Sequence, residues 1–304
     1  MKDLRYIALW AVALLLLTAC GKTERPGRAQ TAQEKKRMAA EEAKALKIAV
    51  VPTLDCLPLY VAKEQGIFKS LNTDIRLHRY KAQMDCDTAL MGGSVQGAVT
   101  DLIRAEHMQR KGTPLRYVTA TNAGWQLISN RVARIKKINQ LGDKMIGMAR
   151  FSATDFFSDY AIDSVRMKKE RVFKIQLNDV ELRLRMLQNN EIDAVILPEP
   201  QATTARLSGH HVLMDTRDKN MRLGVVAFRT KDMAKGVRAK QLQQFIKAYN
   251  RACDSINIKG IEHYAAVIKK YCNTDDKTIR ALPPLKFFHI APPRESDLRI
   301  ARKF

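Results

Sequence analysis

Short runs rich in β-branched residues alternate with helical stretches along the chain from Leu46 onward. The runs predict strands over 46–52, 74–80, 95–100, 115–121, 144–149, 172–177, 192–197, 211–215 and 223–229. Between them the pattern predicts helices over 58–68, 87–91, 154–169, 180–189 and 200–208, and one that ends near residue 112. Because strands that alternate with helices at this spacing form parallel sheets covered by helices on both faces, we expect an α/β fold.

The alternation restarts at 144, which predicts two α/β lobes with parallel-rich sheets. After residue 229 amphipathic helices follow without a strand between them, and such a tail must pack on a lobe that is already built. We therefore expect lobe one to comprise 46–127 plus 228–304 and lobe two to comprise 128–227. Strands near 124–130 and 223–229 would cross between the lobes and act as the hinge.

The first twenty residues have the build of an export signal. Lys2 and Arg5 precede an apolar run over 6–17, which is too short for a membrane helix of ~20 residues. The run ends in Leu-Thr-Ala-Cys, which resembles the lipobox of bacterial lipoproteins. We expect 1–20 to be a lipoprotein signal peptide and Cys20 to carry acyl chains such as palmitate. An ordinary signal peptide that happens to end near a cysteine is the alternative.

Residues 21–45 are polar and predict a flexible tether, with a short helix near its end. The folded part would then stand off a bacterial membrane and face the periplasm or the exterior. Lys and Arg number 53 against 31 Asp and Glu, a formal net charge of +22. In a cytosolic protein this excess would indicate nucleic acid, which export makes an improbable partner. The charge is either a solvated basic surface or a field that attracts anionic solutes or lipid head groups.

Cysteine usage also fits an exported protein. With Cys20 assigned to lipid, an even number remains, and we expect the disulfides Cys56–Cys86 and Cys253–Cys272. Cys56 and Cys86 follow two strands that are neighbours in the common strand order, so their loops would lie side by side. The alternative is four buried free thiols. No cysteine pair has CxxC spacing and no HExxH motif is present, so we expect no metal site.

Three segments carry a family resemblance: 48–68 (IAVVPTLDCLPLYVAKEQGIF), 141–157 (LGDKMIGMARFSATDFF) and 186–205 (MLQNNEIDAVILPEPQATTA). Together with the body from 46 to 293, they resemble the bacterial solute-binding proteins of ABC importers for nitrate, sulfonates, taurine and thiamine precursors. The resemblance implies the periplasmic-binding-protein fold, a small-molecule ligand, an ABC permease as partner, no cofactor and a monomeric state. The chain departs from the family's pattern at Asn190, where Gly is frequent, and at Gln96, where Asp is usual.

Ligands of open parallel sheets sit beyond the carboxyl ends of the strands, which points to the loops after the predicted strands. Helix N-termini at the same edge would offer free amides to a polar or anionic group. The candidate ligand-binding residues are Asp55, Cys56, Leu57, Met84, Thr100, Asp101, Trp125, Ser152, Thr154 and Glu199. Helix capping is the competing explanation for Asp87, Asp101 and Thr154, and packing between lobes for Trp125.

Carboxylates in a small, partly dry site would oppose a bare anion such as nitrate. They suit an amine, as in an aminosulfonate, or ring N–H donors, as in a pyrimidine-like thiamine precursor. With the family resemblance, we expect an aminosulfonate, a sulfonate or such a precursor to be held between the lobes and passed to the permease. A sensor that reports its ligand to a membrane partner is not distinguishable from a transport protein by sequence. The other class of function is an exported, dehydratase-like enzyme with Asp55, Asp101 or Glu199 as general base. No nucleophile motif supports an enzyme, because residues 93–97 read Gly-Ser-x-x-Gly and precede a strand.

Overall fold

A computed structural model describes residues 32–233 and 236–304. Cys20 and the predicted signal peptide lie outside the described residues. Helix α1 (Ala32–Lys44) is polar and occupies the end of the predicted tether. The chain from Ala45 to Phe304 is a compact unit of its own. In the described ranges, no helix is long and apolar enough to cross a membrane.

The first sheet has five strands in the order β2-β1-β3-β10-β4. Strand β1 runs parallel to both β2 and β3, whereas β10 runs antiparallel to β3 and β4. The strands are β1 (Leu46–Val50), β2 (Ile75–Arg79), β3 (Gly97–Asp101), β4 (Leu115–Ala120) and β10 (Gly224–Arg229). Strand β3 is buried along its whole length, as expected for a strand covered on both faces.

The second sheet repeats this plan in the order β7-β6-β8-β5-β9. Strand β6 is parallel to β7 and β8, and β5 is antiparallel to β8 and β9. The strands are β5 (Trp125–Ser129), β6 (Lys144–Met148), β7 (Val172–Gln176), β8 (Ala194–Pro198) and β9 (His211–Asp215). The prediction of two α/β lobes is therefore confirmed.

Two segments carry the chain from one sheet to the other. Residues 121–124 lead from β4, an edge strand of the first sheet, to β5 in the second, and 216–223 lead from β9 to β10 in the first. We call them the first and second crossover. The strand that follows each crossover, β5 or β10, lies next to an edge strand and is antiparallel to both of its neighbours. Each parallel-rich sheet therefore contains one antiparallel strand. The lobe limits predicted from the sequence stay a prediction.

Helices cover both sheets and form the tail. They are α2 (Leu57–Glu64), α3 (Ile67–Ser70), α4 (Gln83–Gly92), α5 (Leu102–Arg110), α6 (Ala153–Ser164), α7 (Val180–Gln188), α8 (Gln201–Leu207), α9 (Thr230–Met233), α10 (Val237–Lys259), α11 (Ala265–Cys272), α12 (Asp276–Arg280) and α13 (Glu295–Lys303). The predicted helix over 58–68 is two helices, because Gly66 adopts φ 66° and ends the first. Helix α4 begins earlier than predicted and α6 ends earlier.

The helical tail packs on the first lobe, as predicted. Helix α10 contacts α2, and α13 contacts α5. Tyr60 of α2 stacks on Tyr271 of α11 with ring centroids 4.1 Å apart, and the Tyr60 hydroxyl donates to Val51 O at 2.6 Å. These contacts close the core over β1 and hold the segment that follows it, 51–56, against the tail.

The two predicted disulfides are wrong: Cys56, Cys86, Cys253 and Cys272 are buried free thiols. Strands β1 and β2 are neighbours as predicted, but the cysteines do not lie on facing loops. Cys86 lies inside α4, and Cys56 ends a short 3₁₀ turn with its sulfur 3.8 Å from Thr53 Oγ1. The Cys253 thiol donates to Phe288 O at 3.3 Å. All four thiols lie in the same hydrophobic core without being bonded to one another.

At Asn190 and Gln96, where the chain departs from the family pattern, the structure accommodates each residue through its own conformation or hydrogen bonds. Asn190 adopts φ 62°, the left-handed conformation that a glycine would supply. The side-chain oxygen of Gln96 accepts a hydrogen bond from Lys47 N at 3.0 Å, and its main-chain oxygen accepts one from Arg229 N at 2.9 Å. Gln96 thus ties β1 to the start of β3 through its uncharged amide.

Candidate functional site

A cavity of about 60 Å³ lies where the carboxyl ends of the parallel strands of both sheets meet. We call it the cleft cavity. Its lining residues come from the ends of β1, β3, β6 and β8 and the segments that follow β1, β2, β6 and β7, from the first crossover and the start of β5, and from helices α4, α5, α6 and α7: Val51, Thr53, Asp55, Lys81, Gln83, Val99, Thr100, Asp101, Arg104, Ala123, Trp125, Ala149, Ser152, Thr154, Asn178, Val180, Arg183 and Pro198. Both lobes contribute, so a molecule held here would be enclosed by the two sheets.

Six of the residues selected from the sequence line the cleft cavity: Asp55, Thr100, Asp101, Trp125, Ser152 and Thr154. They come from loops that are distant in sequence, and only the folding of two sheets brings them together. The other four, Cys56, Leu57, Met84 and Glu199, are outside its lining. Cys56 and Leu57 are completely buried in the core of the first lobe. Met84 is 46% exposed and lies at a neighbouring recess.

Glu199 is turned away from the cleft cavity by its own helix. Its Oε2 accepts hydrogen bonds from Thr203 N at 2.9 Å and Thr203 Oγ1 at 2.6 Å, while Oε1 lies 3.0 Å from Arg206 Nη1. Only its main chain faces the first lobe, where its carbonyl accepts from Leu54 N at 2.9 Å. The carboxylate therefore stabilises α8 and has both oxygens engaged.

Two arginines in the cavity wall were missed by the sequence analysis. Arg104 on α5 and Arg183 on α7 are 6% and 5% exposed and come from opposite lobes. No motif singled them out, because in a chain of net charge +22 one arginine among helical residues carries little information. A weak signal was present: Arg104 stands three residues after Asp101, between apolar residues of a buried helix face.

Arg104 is paired with carboxylates. Its Nη1 forms a very short contact with Asp87 Oδ2, and its Nε lies 3.8 Å from Asp101 Oδ2. Asp87 was predicted to cap a helix; it instead lies within α4 and serves this ion pair. Arg104 Nη2 has no hydrogen-bond partner in the described part of the chain.

Arg183 has no carboxylate in salt-bridge distance among the described residues. Its Nη1 donates to Ile196 O at 2.5 Å, and its buried Nε has no hydrogen-bond partner there. Burial lowers the pKa of Arg183 to about 10, and the positive charge of Arg104 acts in the same direction. A cation that remains buried at this energetic cost favours an anion in the cavity beside it.

Asp101 caps α5, as the sequence suggested, by accepting a hydrogen bond from Arg104 N at 3.0 Å. Burial raises the pKa of Asp101 to about 6, although Arg104 and hydrogen bonds from the Arg104 and Ala153 amides oppose the rise. Ala153 is the first residue of α6 in the second lobe. The Asp101 carboxylate therefore lies near the N-terminus of a helix that belongs to the other lobe.

Asp55 is held by hydroxyl groups. Thr53 Oγ1 donates to Asp55 Oδ1 at 2.5 Å, and Thr121 Oγ1 donates to Oδ2 at 3.5 Å. Burial raises the pKa of Asp55, and these hydroxyl groups partly offset the rise. No basic side chain lies within salt-bridge distance of Asp55 in the described residues. It is therefore free to accept hydrogen bonds from a donor on a ligand.

The start of α6 supplies hydroxyl groups to the cavity. Ser152, and not Thr154, is the N-cap: its Oγ accepts from Thr154 N at 3.0 Å and from Asp155 N at 3.4 Å. Thr154 Oγ1 accepts from Ala149 N at 2.9 Å. Trp125, half-buried at the start of β5, donates its main-chain N–H to Thr216 Oγ1 at 2.9 Å. The cavity therefore combines cations, carboxylates, hydroxyl groups and one indole ring.

Among the described residues, no group of three or more His, Cys, Asp or Glu could hold a metal ion.

Comparison with known proteins gives the same architecture. The model of the NMT1/THI5-like family matches residues 53–257. The structure is similar to the periplasmic aliphatic sulphonate-binding protein SsuA from Escherichia coli (TM-score 0.70, 18% identity, 86% of this chain and 85% of that one). It is also similar to the alkanesulfonate-binding protein SsuA from Xanthomonas axonopodis pv. citri bound to MOPS (TM-score 0.72, 15% identity, 85% and 90%).

A third similar structure is the periplasmic nitrate-binding protein NrtA from Synechocystis PCC 6803, with TM-score 0.67 and 13% identity over 77% of this chain and 68% of that one. No curated protein sequence matches the chain. At these identities the solved structures establish the fold that this chain shares with them. The ligands named for those proteins are not assigned to this chain.

Proposed function

The chain belongs to the NMT1/THI5-like family, and on that basis we propose that it captures a small sulfonate or aminosulfonate between its two lobes and delivers it to an ABC permease. The fold is shared with the periplasmic sulphonate-binding and nitrate-binding proteins named above and with a ligand-binding component of an ABC-type import system from Staphylococcus aureus. For this chain, we propose the ligand, its delivery to a permease and the residues that bind it.

The observation that carries it is Arg183, a buried cation in the wall of a cavity between the lobes without a carboxylate partner in the described residues. An anionic head group would supply the missing charge, and charge-assisted hydrogen bonds of this kind contribute ~1.5–3 kcal/mol each. Arg104 would contribute less, because Asp87 and Asp101 already balance its charge.

Asp55 favours a ligand that also carries a donor. An ammonium group would stabilise its carboxylate, whereas a bare anion such as nitrate would leave it unpaired. An aminosulfonate has both groups on a small skeleton. A pyrimidine-like ligand would use Asp55 and Trp125 but leave Arg183 without a counter-charge, so we rank it second.

The first experiment is calorimetric titration with four ligands. Taurine has the sulfonate and the amine, ethanesulfonate lacks the amine, ethanolamine lacks the sulfonate, and hydroxymethylpyrimidine represents the second choice. We expect taurine to bind most tightly and ethanolamine not at all; ligand at 100 times its Kd would add ~2.7 kcal/mol to stability. Asp55→Asn should weaken taurine more than ethanesulfonate. Absence of binding by both sulfonates would refute the proposal.

The enzyme alternative has less support. Of the carboxylates considered as general bases, Glu199 has both oxygens engaged and Asp101 caps a helix. The similar solved structures named above are binding proteins. We propose that the ligand leaves unchanged, which NMR of the bound ligand after release by denaturation would test.

We also propose that the mature chain is a monomer anchored through lipid on Cys20, outside the cytoplasm, and that it has no nucleic-acid partner. The lipobox-like ending of the apolar run supports the lipid anchor and the location outside the cytoplasm. Cys20→Ser should move the protein from the membrane fraction to the soluble fraction, or leave it unprocessed. Wild-type protein released on lysis without detergent would contradict the anchor.

A further inference from the structure

A second cavity, of about 440 Å³, lies beside the first crossover. We call it the hinge cavity. Its walls are the first crossover at Thr121–Ala123, the second crossover at Arg217–Arg222 and the stretch 284–294 of the tail. Ala123 lines both cavities, so the first crossover forms part of the wall of each. The volume falls in the usual range for small-molecule sites.

The hinge cavity has more positive charge than its carboxylates balance. Asp297, its acidic lining residue, is 1% exposed and is held by Arg294, with Nε–Oδ2 at 2.6 Å and Nη2–Oδ1 at 2.9 Å. Arg217 lies 3.6 Å from Asp215 Oδ2. Arg222 and Lys286 have no carboxylate within salt-bridge distance in the described part of the chain. Two cations therefore remain available to a ligand.

These two cations flank one aromatic ring. Phe288 is 49% exposed, and the Arg222 guanidinium and the Lys286 ammonium lie 5.8 and 5.7 Å from its ring centroid. The ring offers a flat apolar surface, and the neighbouring cations can reach an anionic group on a molecule stacked there. His289, also in the wall, is engaged by Asp254 Oδ1 at 2.6 Å.

The walls of the hinge cavity are tied together. Arg294 Nη2 donates to Asn220 O at 2.6 Å, which joins the tail to the second crossover. Ala120 N donates to Ala291 O at 2.8 Å, which joins the tail to the end of β4 beside the first crossover. Because the cavity is formed by these bonds before any ligand enters, little ordering is needed on binding.

We infer that the hinge cavity is a second binding site, for a small aromatic acid that stacks on Phe288 and places its carboxylate or phosphate between Arg222 and Lys286. The site is distinct from the cleft cavity in location and in ligand size. The hinge cavity, at about 440 Å³, is much larger than the cleft cavity, at about 60 Å³.

The test is calorimetric titration of the full chain with 2-naphthoate, and with the neutral 2-naphthylmethanol as matched ligand. We expect 2-naphthoate to bind at least tenfold more tightly than the alcohol. The double variant Arg222→Gln/Lys286→Gln should remove that difference, and Phe288→Ala should weaken both ligands. Arg299→Gln/Lys303→Gln removes the same charge from the exposed side of α13 and should bind 2-naphthoate as the wild type does.

The variant Arg183→Gln distinguishes failure of the hinge-cavity inference from failure of the proposed sulfonate site, because Arg183 lines only the cleft cavity. If 2-naphthoate binds in the hinge cavity, this variant retains that affinity. Loss of 2-naphthoate binding in Arg183→Gln, retention of it in Arg222→Gln/Lys286→Gln, or no binding by the wild type would each overturn the inference. Equal loss in the Arg299→Gln/Lys303→Gln control would overturn it too, since binding would then follow net charge alone.

Discussion

Replacing Arg183 with methionine should separate stability from binding. A buried arginine normally resists truncation, because removing one partner of a buried pair leaves the other uncompensated. Arg183 leaves no carboxylate behind, since none in the described residues pairs with it. Methionine keeps a similar length of apolar chain in the wall between Val180 and the end of β8.

The magnitude follows from the pKa of Arg183. Burial lowers it to about 10, and each tenfold change in proton affinity is worth ~1.4 kcal/mol, so the ligand-free protein bears ~3 kcal/mol of unfavourable desolvation at neutral pH. Against this stands the charged hydrogen bond to Ile196 O, worth ~1.5–3 kcal/mol. The two terms nearly cancel, and we expect the unfolding free energy of Arg183→Met to lie within ~1.5 kcal/mol of the wild type.

Binding should respond far more strongly than stability. Loss of one charge-assisted interaction of ~1.5–3 kcal/mol lowers taurine affinity by roughly 10- to 150-fold. Urea denaturation gives the first quantity and calorimetry the second; Arg185→Met, an exposed arginine on the same helix, should change neither. A loss of more than ~3 kcal/mol in stability, or taurine affinity equal to that of the wild type, would refute the reasoning about Arg183.

Three further predictions concern other parts of the fold. Because burial raises the folded-state pKa of Asp101 to about 6, folding takes up a proton between pH ~4 and ~6, so this group's contribution to stability falls as pH rises through that window. Asp101→Asn, which can still cap α5, should flatten that slope and raise stability near pH 7 by up to ~3 kcal/mol, measured by urea denaturation at pH 4.5 and 7. Gly97→Ala should cost ~1–3 kcal/mol, because a Cβ there would lie 2.5 Å from the buried Phe228 ring, whereas Gly92→Ala has open space and should be neutral or stabilising; equal effects would count against the packing argument. Finally, the four described cysteines should react with a thiol reagent only after unfolding, since burial raises the pKa of each thiol; a wild-type melting temperature lowered by reductant would speak for a disulfide after all.

The strands were predictable because their signal is local. The β-branched composition of a run such as IDAVIL (192–197) predicts a buried strand without reference to the rest of the chain. Strand β8 lies within two residues of these predicted limits. The left-handed conformation of Asn190 was also predictable from its residue type, whereas the predicted helix over 58–68 ran through Gly66, where the structure ends the first of two helices.

The site was predictable only as far as strand ends determine it. Asp55, Thr100, Asp101, Trp125, Ser152 and Thr154 were selected because they follow strands or begin helices and strands, and they line the cleft cavity. Arg104 and Arg183 lie a turn inside their helices, where the sequence does not tell which face meets the opposite lobe. Glu199 follows a strand as well, yet Arg206 and Thr203 on its own helix turn its carboxylate away.

By itself, then, the sequence determined the α/β class, the number of lobes and the set of loops from which a site could be built, since each of these follows from residues close together along the chain. The tertiary structure alone decided that β5 and β10 run antiparallel to their neighbours, that Cys56 and Cys86 are unpaired thiols, and that Arg183 lies in the cavity wall without a carboxylate partner in the described residues. These outcomes depend on distances between residues far apart in sequence. Such distances are set by how helices pack on sheets, and no local pattern of residues encodes them.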